Sequence, residues 1–160
     1  MIKGAAALFP HTVQAARVYS VSPETAFNAW TDPALLERWF GPPDYRAEIL
    51  THDLYVGGAW RFRMIGANGD CSHHFGTFLE IDPPRRLVFT WASEELVEGW
   101  RDETGAPTRV TVEFFPRNGG VEVCVSHEQL QSAEARRALT GGWAGGLESL
   151  AVLLEGGRAR

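Results

Sequence analysis

From Tyr45 to Leu130 the chain repeats one pattern, in which large apolar residues alternate with polar ones in short runs separated by Gly, Pro, Asn and Asp. The runs are YRAEILTHDL, AWRFRMI, SHHFGTFLEI, RRLVFTWA, TRVTVEFFP and GVEVCVSHEQL. Period two is the spacing of a strand with one face buried. The links Gly57-Gly58, Gly66 to Asp70, Asp82-Pro83-Pro84 and Arg117 to Gly120 mostly carry turn chemistry suited to antiparallel hairpins. Six consecutive strands in a meander are therefore predicted. An antiparallel sheet with one wet face must cover the other. The one element long enough to do so is a helix from Ser132, its cap, to about Gly156, with Leu139, Trp143, Leu147, Leu150 and Leu154 on one stripe. It would span roughly 35 Å, comparable to a hairpin of this size, and the sheet should curl around it.

Ahead of the meander, TVQAARVYSV (12–21) reads as a first strand, and two short helices follow. Ser22 caps the first, Pro23 suits its opening turn, Glu24 sits near the positive end of the dipole, and Phe27 and Trp30 share a side. The second lies in TDPALLERWFGPP (31–43), with Asp32 as cap, Pro33 in the first turn, and Leu35, Leu36, Trp39 and Phe40 at helical spacing. Gly41-Pro42-Pro43 stops it. Such a pair should plug one end of the curved sheet with Trp39 and Phe40 turned inward. The expected fold class is α+β: a curved antiparallel sheet of about seven strands wrapped around a long C-terminal helix, with two short helices after the first strand. At 160 residues a chain buries roughly 70% of its unfolded surface and can fold as one domain. That domain is placed at 12–156, between an N-terminal segment (1–11) and a short tail (157–160).

Charge and cysteine usage narrow the function classes. A net charge of −5 and no Lys/Arg cluster interleaved with aromatics leave no nucleic-acid footprint. The apolar run in MIKGAAALFPH is too short for an export signal or a membrane span, so a soluble, cytoplasmic protein is expected. Cys71 and Cys124 form no short-spaced pair and are expected as two free, buried thiols.

The interior is the strongest place for function, because eighteen aromatics, six of them Trp, must fill a core or line a cavity. Alternation puts Trp60, Phe62 and Met64 on one face with Arg61 and Arg63 on the other. Leu87, Phe89 and Trp91 share a face, as do Val110, Val112 and Phe114, and likewise Val121, Val123, Val125 and His127. If these faces meet the Trp143, Leu147 and Leu150 stripe, the rings can enclose a hydrophobic cavity; the alternative is a filled core. Gly141, Gly142, Gly145 and Gly146 lie within the long helix, each costing up to about 1 kcal/mol relative to Ala, which fits either a ligand or a close approach of the sheet. A kink or a late helix start would explain them as well.

His127 is the one polar side chain expected on the inner face, to orient a ligand or bond neighbouring backbone, with a general base as the sharper alternative. Glu48 reads as a solvated strand residue that could also turn inward. Cys71 and His73 share a face while His74 points away, which leaves two ligands where zinc needs three or four, so no metal is expected. Ser72 has no triad spacing and no nucleophile elbow, and no phosphate-binding loop occurs, so no nucleotide cofactor is expected either. The acidic link from Ser93 to Pro107, with Trp100, reads as a lid, a docking loop or simply a solvated hairpin extension. Arg61, Arg63, Arg85 and Arg86 read as outward charges pairing across the sheet.

The runs PETAFNAWTDPALLERWFGPP, VGGAWRFRM, FGTFLEIDPPRRLVFTW, VSHEQL and GGWAGGLESLAVLLE, in this order over residues 13–156, resemble the homologues of the heat-shock-protein-90 ATPase activator (AHSA-type), within the START-like or SRPBCC superfamily. The resemblance implies the helix-grip fold of the birch-pollen-allergen group, in which sheet and helix enclose a hydrophobic cavity. Lipid carriers, polyketide cyclases and aromatases, and co-chaperone domains share that superfamily. The expected function is thus binding of a small hydrophobic or aromatic ligand among Trp39, Phe40, Trp60, Phe62, Met64, Phe89, Trp91, His127, Trp143, Leu147 and Leu150. The alternatives are a cyclase, aromatase or hydrolase-like enzyme using His127 in the same cavity, and a module that regulates a chaperone ATPase through the outer sheet and the acidic link. The full eukaryotic co-chaperone has a further N-terminal domain that these residues do not supply, which places that reading last. Strand edges and helix faces are where a homodimer would pair.

Overall fold

Caps and hydrophobic spacing set the short helices, and alternation sets the sheet that they close. A computed structural model describes residues 11–41, 44–94, 107–130 and 133–156. In chain order the elements are β1 (His11–Tyr19), α1 (Pro23–Thr31), α2 (Pro33–Trp39), β2 (Tyr45–His52), β3 (Ala59–Gly66), β4 (Cys71–Asp82), β5 (Arg86–Ser93), β6 (Thr108–Arg117), β7 (Gly120–Leu130) and α3 (Ala133–Glu155). The strands form one seven-stranded antiparallel sheet in the order β1-β7-β6-β5-β4-β3-β2. Strands neighbouring in sequence thus pair from β2 to β7, as the short links require, and β1 closes the far edge on β7. Register shifts in β1, β2 and β4 mark irregularities of the kind that bend a sheet. The result is the helix-grip arrangement, a curved sheet holding a long C-terminal helix.

The Ser22 hydroxyl accepts from the Thr25 amide at 3.1 Å and starts α1. Asp32 serves both helices: its amide closes α1 on the Asn28 carbonyl at 2.8 Å, and its carboxylate accepts from Ala34 N at 2.9 Å to open α2. The joint is therefore one residue wide. Trp39 Nε1 donates to the Ala29 carbonyl at 2.8 Å, and the rings of Trp30 and Trp39 meet edge to face at 4.8 Å, which locks the two helices together. Gly41 has φ +97°, and a Cβ there would stand 2.6 Å from Met64 Sδ, so glycine both permits the turn out of α2 and lets it press on β3.

The long helix runs beside β1 in the same direction, held near its start by Arg136 Nε on the Thr12 carbonyl at 3.2 Å and near its end by Glu155 on Ser20 N at 2.6 Å. Between them the fully buried Tyr19 hydroxyl donates to the Leu147 carbonyl at 2.8 Å, and burial pushes the pKa of this phenol up. The stripe predicted on this helix is buried from Leu139 through Leu150, while Leu154 is half-buried. Helical geometry continues through Gly141, Gly142, Gly145 and Gly146.

On the outer face Arg63 and Arg46 pair with Glu48, Arg61 with Glu94, Arg85 with Asp82, and Arg86 with Glu80 and Glu113. The Arg63 guanidinium, then that of Arg46, hold the Glu48 carboxyl below the usual carboxylate range. Glu48 thus faces solvent, where such pairs contribute little to stability. The expectation of two buried thiols needs correction. Both cysteines are free, but Cys71 is exposed and Cys124 half-buried. Each stands on the outward side of its strand, Cys71 opposite in direction to buried His74, and Cys124 between buried Val123 and Val125. No helix among the described residues is long and apolar enough to cross a membrane. The Ser132 cap, the Pro42-Pro43 stop and most of the acidic link, with Trp100, lie outside the described residues.

Candidate functional site

The inward faces of β3 to β5 carry their rings against α2 and α3, and Trp91 is the hub. Its ring lies 5.5 to 5.7 Å from those of Phe40, Trp60, Phe62, His74, His127 and Trp143. Edge-to-face pairs predominate, a geometry worth roughly 0.5 to 1.5 kcal/mol per pair beyond burial. Two openings lie around this hub among the described residues. The smaller has a volume of about 40 Å³ and lies on the β2 side, lined by Trp60, Phe62 and Phe89 together with Trp30, Leu36, Phe78 and His52. It has room for little beyond a water or two. The larger, about 260 Å³, lies between α2, the N-terminal half of α3 and the start of β4.

That larger cavity is lined by Trp39, Phe40, Gly41, Tyr45, Met64, Ser72, His74 and Trp91, and across from them by Ala138, Leu139, Gly142, Trp143 and Gly146. Exposed Tyr45 and Ala138 stand at its mouth. Gly142 explains part of the helix composition, since a Cβ there would meet nothing within 4 Å. At Gly146 a Cβ would only touch Trp39 at 3.9 Å. Phe40 and Trp91 belong to both openings and form the partition between them.

Of the residues expected at a ligand site, Trp39, Phe40, Met64, Trp91 and Trp143 come together around the larger cavity, while Trp60, Phe62 and Phe89 line the smaller one. His127, Leu147 and Leu150 are buried behind Trp143 and line neither. His127 is not the one polar group on the inner face. His74 is there too, 4% exposed: it points away from the Cys71 side as the strand spacing implies, but it was not among the residues expected at the site. The signal was present: His74 shares its parity on β4 with buried Phe78 and pairs in register with Phe62.

Both histidines are held by the same sequence of partners, indole to imidazole to hydroxyl. Trp143 Nε1 donates to His127 Nδ1 at 3.2 Å, so the proton of a neutral ring sits on Nε2, which meets Thr108 Oγ1 at 2.8 Å. The Thr108 hydroxyl in turn donates to the Trp91 carbonyl at 2.6 Å. Trp91 Nε1 donates to His74 Nδ1 at 3.0 Å, and His74 Nε2 faces Ser72 Oγ at 2.8 Å. These tautomers follow from the indoles, which can only donate.

The consequence for catalysis is direct. A base that activates a serine needs a bare Nε2 and an acceptor at Nδ1, whereas here an indole occupies Nδ1 and the Nε2 proton points at the hydroxyl. Ser72 with His74 is therefore not an activated nucleophile, and the His127 ring is likewise held between an indole N–H and the Thr108 hydroxyl. Burial pushes His127 down to about 3. The sign follows from proton binding: the unfolded chain takes up this proton near the ordinary 6.5 and the folded chain does not, so stability is full above 6.5 and falls as pH drops from there towards 3. We expect the urea-unfolding free energy to lose about 2 kcal/mol between pH 7 and pH 5 from this group. The His127 ring nitrogens should keep the neutral Nε2-protonated NMR signature at pH 5; an imidazolium spectrum there would contradict the relay. Among the described residues no three His, Cys, Asp or Glu side chains gather as metal ligands.

Comparison with known proteins agrees with the architecture. The family model described as "Activator of Hsp90 ATPase homolog 1-like protein" matches residues 20–155. A crystal structure of a Chromobacterium violaceum protein is similar with a TM-score of 0.79 and 28% identity, covering 91% of this chain and 98% of that one. An Arthrobacter aurescens protein solved by NMR gives a TM-score of 0.75 at 25% identity, over 90% of this chain and 86% of its own. The protein from Silicibacter pomeroyi described as AHSA1 gives 0.73 at 25% identity, over 89% and 96%. No curated protein sequence matches. Seven strands gripping a C-terminal helix, and a profile match reaching from the end of β1 to the end of α3, lead to one conclusion: this chain belongs to the AHSA1 family, the activator of Hsp90 ATPase homolog 1-like proteins.

Proposed function

We propose that this domain binds a small, uncharged, largely apolar ligand with an aromatic body in the cavity between α2, α3 and the β3–β5 face. The observation that carries this reading is the 260 Å³ opening walled by Trp39, Phe40, Met64, Trp91 and Trp143, in a helix face that carries Gly142 where a side chain would fill it. The volume lies just below the ~300 to 1,000 Å³ usual for ligand sites, which favours a ligand of one or two rings. Among the described residues no Lys, Arg, Asp or Glu lines the opening, and an ion would lose its hydration against such a wall without compensation. Three indoles in the wall make the site self-reporting. Titration with 2-ethylnaphthalene should quench tryptophan fluorescence saturably with one-to-one stoichiometry, and an unsaturable, linear response would overturn the reading.

A further inference from the structure

The wall of this cavity is not uniformly apolar: Tyr45 stands at its mouth, and deeper in, the Ser72–His74 pair forms a polar spot with a defined sense. The three indole N–H groups that line it are all committed inside the protein: Trp39 to the Ala29 carbonyl, Trp143 to His127 and Trp91 to His74. None of them is left to meet a ligand. Ser72 differs. Its oxygen receives the His74 Nε2 proton at 2.8 Å, because the Trp91 indole fixes the opposite nitrogen as the acceptor. A hydroxyl that accepts from a ring N–H still has its own proton to give, and the Ser72 side chain makes no other hydrogen bond among the described residues. Ser72 lines the opening beside Met64 and is half-buried, on the mouth side of the nine-tenths buried His74.

Resting on the cavity reading above, we propose that the Ser72 hydroxyl, oriented by the Trp91–His74 relay, is the hydrogen-bond donor for a neutral aromatic ligand bearing a carbonyl-type acceptor. The ring system lies between Trp39 and Trp143 with Met64 Sδ against its edge, contacts that suit aromatic and thioether surfaces. The acceptor oxygen points at Ser72. A ligand whose only polar group is a donor can reach just the remaining lone pair of the Ser72 oxygen and leaves the hydroxyl proton without an acceptor in the cavity. The relay thus favours acceptor-bearing ligands over isosteres that lack the acceptor.

Two probes of equal shape separate this from simple hydrophobic uptake: 2-acetylnaphthalene, which carries the acceptor, and 2-ethylnaphthalene, which does not. Ser72→Ala should weaken the ketone about fivefold, the effect of one hydrogen bond of ~1 kcal/mol, and leave the hydrocarbon within about twofold. Ser72→Thr, which keeps the hydroxyl, should restore ketone binding. In the wild-type protein the infrared carbonyl band of the bound ketone should move to lower wavenumber than in alkane, a readout that needs no variant. Equal changes for both probes, or a carbonyl band at its alkane position, would overturn the assignment of Ser72 while leaving the cavity reading intact. Saturable binding of neither probe overturns both.

Discussion

Gly142→Leu is expected to weaken binding of 2-ethylnaphthalene at least tenfold while leaving the domain as stable as before or more so. The two effects have separate causes. A Cβ at 142 meets no atom within 4 Å, so the added isobutyl group grows into the opening and occupies the volume a ligand would take. Leucine also removes a helix-interior glycine, which contributes up to about 1 kcal/mol in favour of the helix, or roughly 2 to 4 °C in melting temperature for a domain of this size. Loss of quenching together with a raised melting temperature would identify the opening as the binding site. Undiminished quenching would mean that the probe sits elsewhere. Equilibrium titration and thermal unfolding of the same sample check both halves of the expectation.

The largest expected loss of stability comes from Gly76→Ala. Gly76 lies on β4 beside the register shift between β4 and β5, and a Cβ there would overlap the Thr90 carbonyl oxygen and stand 2.7 Å from Trp60 Nε1. The first obstacle is backbone, which cannot swing aside as a side-chain tip can. The β4–β5 pairing or the seat of the Trp60 indole must therefore shift. Overpacking of this kind costs about 3 kcal/mol, equivalent to roughly 6 to 12 °C, and the urea midpoint should fall accordingly. Trp60 stacks on Phe62 at 5.4 Å and touches Trp91 at 5.5 Å, so the disturbance should reach the partition between the two openings and appear as altered tryptophan emission. A variant with wild-type midpoint would show that the close approach at Gly76 is not what seats that ring.

These two glycines show where the sequence speaks and where it stops. The strands were legible because alternation and turn residues are local signals, and the register needed only short links to follow. The cap at Asp32 and the inward rings of Trp39, Phe40, Trp60 and Trp91 followed from the same periodicities. What alternation gives is a face, not a depth. Alternation places His127 on the inner side and the helical stripe places Trp143 there, yet only Trp143 reaches the larger opening, while His127 packs behind it on Thr108. Nor does it show that Phe40 and Trp91 would meet in a stacked contact at 5.7 Å and divide the interior, since that depends on residues fifty positions apart. His74 was missed for a related reason: reading CSHH for metal ligands compared neighbours within the run, whereas the face is decided by Phe78 and by pairing with Phe62. Cys71 fell to the same error, because a thiol's preference for burial is weaker than the parity of its strand.

Entry of a ring-bearing molecule between Trp39, Met64 and Trp143 can be seen by diffraction from crystals soaked with 2-bromonaphthalene, collected at the bromine edge. One dominant anomalous peak is expected inside the opening, within contact distance of Met64 and Trp143. A peak confined to the outer face of the sheet, or an interior without one at saturating probe, would contradict it.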